Sequence, residues 1–249
     1  MADALGWRKK FGVIGPSTNT IVQPDFDDLR VPGVTNHYSR ILIDDANAIS
    51  NETFMAGTMA ISENTADAVR GVLSARPDYL VMGMSAVTFY GGAEGGAQWK
   101  AQIEEIAGLP VSTGAEALVA ALHAYGSGVR RVAFLSPYYP VANAEVARYL
   151  TDYGYEVRRD HCLQCPSWTA IAEVPEATLT AVLQSLDGDD VDALLQVGTN
   201  LSMIRLAAAA ERWLDKPVIA INTATYWHAL RAAGIDDRIP GFGHLLEDH

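Results

Sequence analysis

The chain has 249 residues, with 30 acidic against 18 basic side chains and a formal net charge of -12. Hydrophobic residues make up 49% and charged residues 19%, a mixture that can meet the entropy cost of folding, which excludes a disordered composition and leaves one large domain or two small halves with ample core. An acidic surface with no basic run repels phosphate backbones and anionic membrane surfaces, so nucleic acid and membranes are set aside as partners.

No stretch approaches the ~18 apolar residues of a membrane span, and the opening Met1-Ala2-Asp3-Ala4 lacks a basic-then-apolar leader, so the expected location is cytoplasmic.

In chain order, apolar runs rich in β-branched residues alternate with helical patterns, the signature of parallel sheets flanked by helices. Strands are expected at 11–15, 34–43, 79–84, 129–136, 155–160, 193–197 and 218–221. Between them, 66–75 places Val69, Val72 and Leu73 on one helical face, 115–125 ends at Gly126, and 142–153 stops at Gly154. Pro175 opens a helix carrying Leu179, Val182, Leu183 and Leu186, and 202–214 carries another before Lys216-Pro217. The glycine run at 91–96 lacks the Lys-Ser or Lys-Thr of a phosphate loop and reads as a flexible flap over a cleft. Asp44-Asp45 and the acidic run at 187–190 read as solvated turns, because calcium needs more oxygens at set spacing.

The two cysteines fall close together in His161-Cys162-Leu163-Gln164-Cys165. A zinc site needs further ligands and a redox pair usually opens a helix after a strand, whereas Pro166 follows here at once, so both read as ordinary thiols.

The pattern then repeats. The run 10–16, a basic residue, a strand and a proline turn, matches 131–137; the strand and small polar turn at 78–85 match 192–199; and Leu109-Pro110-Val111 matches Lys216-Pro217-Val218. Three landmarks in one order predict an α/β fold of two similar Rossmann-like halves whose parallel sheets face each other across a central cleft. The expected division is residues 1–115 with 222–249 in the first half and 116–221 in the second.

Open α/β sheets place ligands beyond the carboxyl ends of their strands. The turns to inspect are therefore 16–19, 83–88, 136–139 and 197–200. They are rich in hydroxyls and amides and lack any charged side chain, a combination that suits an anion held by backbone N–H groups and hydroxyls, although Ser, Thr and Asn in such turns also serve as plain helix caps.

These segments carry a family resemblance. Gly12-Val-Ile-Gly-Pro16-Ser17-Thr-Asn19, Gly83-Met84-Ser85-Ala-Val-Thr-Phe-Tyr90, Ser136-Pro-Tyr138 and Leu195-Gln-Val197-Gly198-Thr199-Asn200 resemble the corresponding segments of maleate cis-trans isomerases and arylmalonate decarboxylases, in the aspartate/glutamate racemase superfamily. The resemblance runs almost to the end of the chain, to Pro240-Gly241-Phe242-Gly243. It implies a cofactor-free site acting on a small carboxylic acid, with no metal, in a homo-oligomer. Carried over position by position, it makes Asn19, Ser85 and Tyr138 the carboxylate and oxyanion contacts, with the Met84, Gly198 and Thr199 amides as helpers. Pro16, Ser17, Gly83, Val197 and Asn200, in the same turns, and Trp168 join them around the substrate, and His228 is a further candidate from its own place after a strand end.

The departures bear on the chemistry. The positions at which the resemblance implies cysteines hold Gly83 and Val197, neither of which transfers a proton or forms a thioether. Trp168 stands where the family alignment implies an asparagine, which points to a substrate whose second end is larger or less polar. His228 faces either the cleft or a helix surface beside Trp227, and no Ser-His-Asp set assembles. What survives is enolate or oxyanion stabilisation, with Tyr138 able to supply a proton. The function expected is a cofactor-independent isomerase or decarboxylase of a small carboxylic acid. The alternatives are a hydrolase on the same fold or a non-catalytic carboxylate binder.

Overall fold

In the computed structural model the described residues are 3–45 and 49–249; Met1-Ala2 of the leader argument lies outside them. Two four-stranded, all-parallel sheets are built in one pattern. The first has the order β2-β1-β3-β4 and comprises β1 (Lys9–Pro16), β2 (Val34–Ile41), β3 (Tyr79–Met82) and β4 (Val111–Ser112). The second, β6-β5-β7-β8, comprises β5 (Arg131–Ser136), β6 (Glu156–Cys162), β7 (Ala193–Gln196) and β8 (Val218–Ala220). The three repeated landmarks of the sequence fall on β1 and β5, β3 and β7, and β4 and β8, which occupy equivalent places in the two sheets. The central strands β1, β3, β5 and β7 read as near-continuous apolar runs because both of their faces are covered.

The helices are α1 (Val22–Asp28), α2 (Asn51–Leu73), α3 (Gly92–Ala107), α4 (Gly114–Ala124), α5 (Pro140–Asp152), α6 (Glu176–Leu186), α7 (Ile204–Leu214), α8 (Ile221–Ala232) and α9 (His244–Asp248). Several expected boundaries move. β2 stops at Ile41, β6 runs on to Cys162, α7 starts at Ile204, and Ile221 belongs to a helix. The helix expected at 66–75 is the end of α2, whose first turn is closed by Ser50 Oγ accepting from the Thr53 amide. Its buried stripe is Phe54, Thr58, Ile61, Thr65, Ala68, Val69 and Val72. Thr58 and Thr65 return their hydroxyls to the carbonyls of Phe54 and Ile61 and so pack as apolar residues.

The glycine run at 91–96 is a packed helix start, which corrects the flap reading. The Gly91 and Ala93 amides donate to Glu145 and Asp152 of α5. A Cβ on Gly96 would lie 2.6 Å from the Thr88 carbonyl and 2.9 Å from the Tyr149 ring, so glycine is needed there for close approach. The acidic turns are also paired: Asp45 accepts from Thr169, Asp187 binds Lys216, and Asp190 meets Arg158 and Arg159. Among the described residues no helix is long and apolar enough to cross a membrane, and no cluster of three metal-binding side chains occurs.

Candidate active site

All four turns meet at one pocket. Residues after β1 (Pro16, Thr18, Asn19), β3 (Met84, Ser85, Ala86), β5 (Pro137, Tyr138) and β7 (Gly198, Thr199, Asn200) line it. Ile61 of α2 and Trp168 and Ile171, between β6 and α6, close the remaining side.

Two hydroxyls from opposite sheets meet at its base, where Ser85 Oγ lies 2.7 Å from Tyr138 Oη. Two O–H groups sharing one hydrogen bond leave one hydrogen free for a ligand. Burial pushes the Tyr138 phenol above its ordinary value, so it stays protonated at neutral pH. Tyr138 is held through its backbone: its amide donates to Ser136 Oγ, which donates in turn to Asn143, and Asn143 Nδ2 donates to Asp160 at 2.6 Å.

The second group of contacts centres on Thr199. Its hydroxyl accepts from Asn19 Nδ2 at 3.0 Å and donates to the Gly83 carbonyl at 3.1 Å. Asn19 Oδ1 accepts from the Ile21 and Val22 amides at the start of α1. Asn200 reaches across to the 16–21 segment, accepting from the Thr20 amide, and donates to the Trp168 carbonyl. The Met84, Ser85, Gly198 and Thr199 amides donate to no group among the described residues. Free amides and one spare hydroxyl hydrogen, with no lysine, arginine or histidine lining the pocket, suit a single carboxylate or oxyanion.

Four of the expected site residues lie elsewhere. Ser17 is exposed and its Oγ bonds to the Ile43 backbone. Gly83 sits behind the wall, contributing its carbonyl, and Val197 is fully buried off the pocket. His228 is turned away, its Nδ1 2.7 Å from Ser112 Oγ, which is shared with the Tyr79 hydroxyl; burial lowers its pKa, so the imidazole is a neutral packing partner. The sequence reading also missed contributors. Ile61 and Ile171 supply apolar wall, and Arg40 of β2 donates to the Asn19 carbonyl at 2.9 Å, fixing the 16–19 turn from behind. An arginine in mid-strand was the available signal.

Neither cysteine reaches the pocket. Cys162 ends β6, and Cys165 is buried with its amide on the Pro137 carbonyl. Burial, with Asp160 beside it, pushes the Cys162 thiol up to about 12, and burial pushes Cys165 up to about 11. Both are protonated near neutrality and so are poor nucleophiles. In the Cys162→Ser/Cys165→Ser variant, any small carboxylic acid that wild type binds should bind within about three-fold of the wild-type affinity by isothermal titration, since a change of less than about 0.7 kcal/mol is expected where no contact is lost. A larger loss in a folded protein would place a thiol in the site.

A family model described as arylmalonate decarboxylase matches residues 47–246. The maleate isomerase of Nocardia farcinica is 27% identical over 248 residues, 96% of this chain and 95% of that one. Its structure with a covalently bound succinylcysteine intermediate superposes with a TM-score of 0.86 at 24% identity, covering 97% and 99% of the two chains. The arylmalonate decarboxylase of Bordetella bronchiseptica is 28% identical over 195 residues, 77% of this chain and 80% of that enzyme. The match to the maleate isomerase of Pseudomonas putida, 31% identical, spans about half of each chain, 55% of this one and 54% of the other.

Proposed function

This chain belongs to the arylmalonate decarboxylase family, and from that premise we propose that it is a cofactor-independent enzyme acting on a small carboxylic acid with an apolar substituent, by enolate stabilisation without a thiol. The observation that carries this reading is the Ser85–Tyr138 hydroxyl pair in a pocket that no cysteine lines, on turns with four amides that donate to no group among the described residues. The free amides and the spare hydroxyl hydrogen hold one carboxylate. Residues 1–115 with 222–249, and 116–221, act as the two halves that present these donors from opposite sides, within the homo-oligomer that the family resemblance implies.

In a decarboxylation the bond from the α-carbon to the second carboxylate breaks, carbon dioxide leaves, and the electron pair passes into the enolate of the retained carboxylate. Donors already aimed at that oxygen stabilise the charge without reorganising. The neutral Tyr138 O–H then gives its proton to the α-carbon and recovers one from solvent through the open mouth. A departing carboxylate loses its hydration most readily against an apolar wall, and Trp168, Ile61 and Ile171 provide one. The Nocardia relative's succinylcysteine intermediate joins the substrate to a cysteine. With both thiols here protonated and off the pocket, decarboxylation is favoured over thiolate-assisted isomerisation.

The test is turnover of a panel of small mono- and dicarboxylic acids followed by NMR in deuterated water. Loss of carbon dioxide with one deuterium at the α-carbon is expected. Binding of the acids with no product would leave a non-catalytic carboxylate binder instead.

Trp168 sets the specificity of this reading. Its ring packs 5.1 Å from Phe54 and against Gly57, where a Cβ would come within 2.6 Å of Cζ2. Trp168→Asn should improve succinate binding relative to phenylacetate by about ten-fold, the worth of one charge-assisted hydrogen bond. An unchanged ratio by isothermal titration would remove Trp168 from the site.

A further inference from the structure

Asp25 is a buried carboxyl that the chemistry above does not use. It sits on α1, 7% exposed, one turn beyond the amides bonded to Asn19. Asn222, in the first turn of α8, donates from Nδ2 to Asp25 Oδ2 at 2.7 Å and to the Thr199 carbonyl at 2.9 Å. The Thr199 carbonyl can only accept, so it fixes the amide's orientation: a flipped amide would set oxygen against oxygen there. That orientation leaves Asn222 Oδ1 buried and without a donor.

A buried acceptor with no donor, on an amide already bonded to a carboxyl, calls for a proton on that carboxyl. An acid and a primary amide can then exchange two hydrogen bonds, N–H to carboxyl oxygen and O–H to amide oxygen. The charged surroundings agree. Asp28 on the same helix is paired with Arg205 of α7 at 2.7 Å. From the β2 side, Asn36 is engaged with Asp27 and the Phe26 carbonyl. Among the described residues Asp25 makes no ion pair of its own, and Arg205 acts on it only from a distance.

We propose that Asp25 is a positioning residue which, as a neutral carboxylic acid paired with Asn222, holds Thr199 in place, so that its ionisation loosens the pocket. This rests on the reading that the 197–200 turn binds the carboxylate. Thr199 is then clamped at both ends: Asn222 holds its carbonyl, while Asn19 and Gly83 hold its hydroxyl. Burial, with Asp28 adding to it, pushes the Asp25 carboxyl up to about 7 against the opposing effects of Asn222 and Arg205. An acid whose folded pKa is raised contributes stability on the acid side, lost as pH rises towards and through that value.

The experiment uses the whole chain and needs no substrate for its first reading. Carboxyl carbon NMR of Asp25 should show one titration near neutral pH, and the Thr199 methyl resonance should follow it; in Asp25→Asn the methyl should stay constant with pH. Asp25→Asn retains the paired-amide geometry and should keep its thermal stability between about pH 6 and pH 8, where wild type loses some. Phenylacetate affinity should fall about five-fold or more over that range in wild type and not in Asp25→Asn, and Asp25→Ala should be weak throughout. Titration of Asp25 below about pH 5, or a Thr199 methyl that ignores it, would overturn the proposal. If phenylacetate bound wild type at no pH, the carboxylate-site reading would fail, and the two NMR titrations would still decide the role of Asp25.

Discussion

Replacing Tyr138 by Phe should lower turnover of a phenylmalonate-type substrate by ~100 to 1000-fold, the usual effect of removing one preorganised oxyanion donor. The phenylalanine keeps the ring contact with Phe54, 5.3 Å between centroids, so the fold should survive. It removes both the hydrogen bond to Ser85 and the proton that the α-carbon would receive. Tyr139→Phe is the matched control: Tyr139 packs on the same Phe54 ring at 5.9 Å but does not line the pocket, and it should stay within about two-fold of wild type. Equal losses in the two variants would mean that the Tyr138 hydroxyl acts only through packing.

The second large effect is expected at Gly198. Its φ of +111° is a conformation that L side chains rarely adopt, and a Cβ there would lie 2.6 Å from Pro137 Cγ. Gly198→Ala must therefore either distort the 197–200 turn or displace the 136–138 turn, and these two segments carry Thr199 and Tyr138. Backbone strain of this kind costs about 1–3 kcal/mol, and in a chain of this size each kcal/mol lowers Tm by roughly 2–4 °C. A drop of at least about 4 °C is expected with the Pro137 clash added. A shift of ~1 Å in the donors costs ~100-fold in rate, so activity should fall further than stability alone explains. Scanning calorimetry and initial rates on the same preparation would check both.

The strands and the pocket turns were legible in the sequence for a common reason. A strand covered on both faces must be a short apolar run, and the turn after it must offer polar groups, so 11–15 and 193–197 announced both themselves and the segments that follow. The doubling of the fold was legible in the Pro110 and Pro217 landmarks, which precede equivalent edge strands. The first half of α2 was not, because its buried stripe uses Thr58 and Thr65 as apolar residues once their hydroxyls bond back to the helix. With that helix went Ile61 and the Trp168–Gly57 contact. The glycines at 92–96 were misread for a related reason: composition reports flexibility, but the Thr88 carbonyl and the Tyr149 ring that demand glycine at 96 come from distant positions. His228 followed a strand end as a site residue would, yet it lies two turns into α8 and turns to Ser112 of β4. Such partners are set by how the elements pack, which local pattern does not encode.

If this pocket works without sulfur, removing every thiol should leave its chemistry intact. Cys162 and Cys165 are the chain's two cysteines, so the Cys162→Ser/Cys165→Ser variant contains no thiol at all. The deciding measurement is its turnover of phenylmalonate in deuterated water, followed by proton NMR alongside wild type. Product formed at a rate within a few-fold of wild type, with one deuterium at the α-carbon, is the predicted result. A folded variant that has lost turnover would return the chemistry to a cysteine.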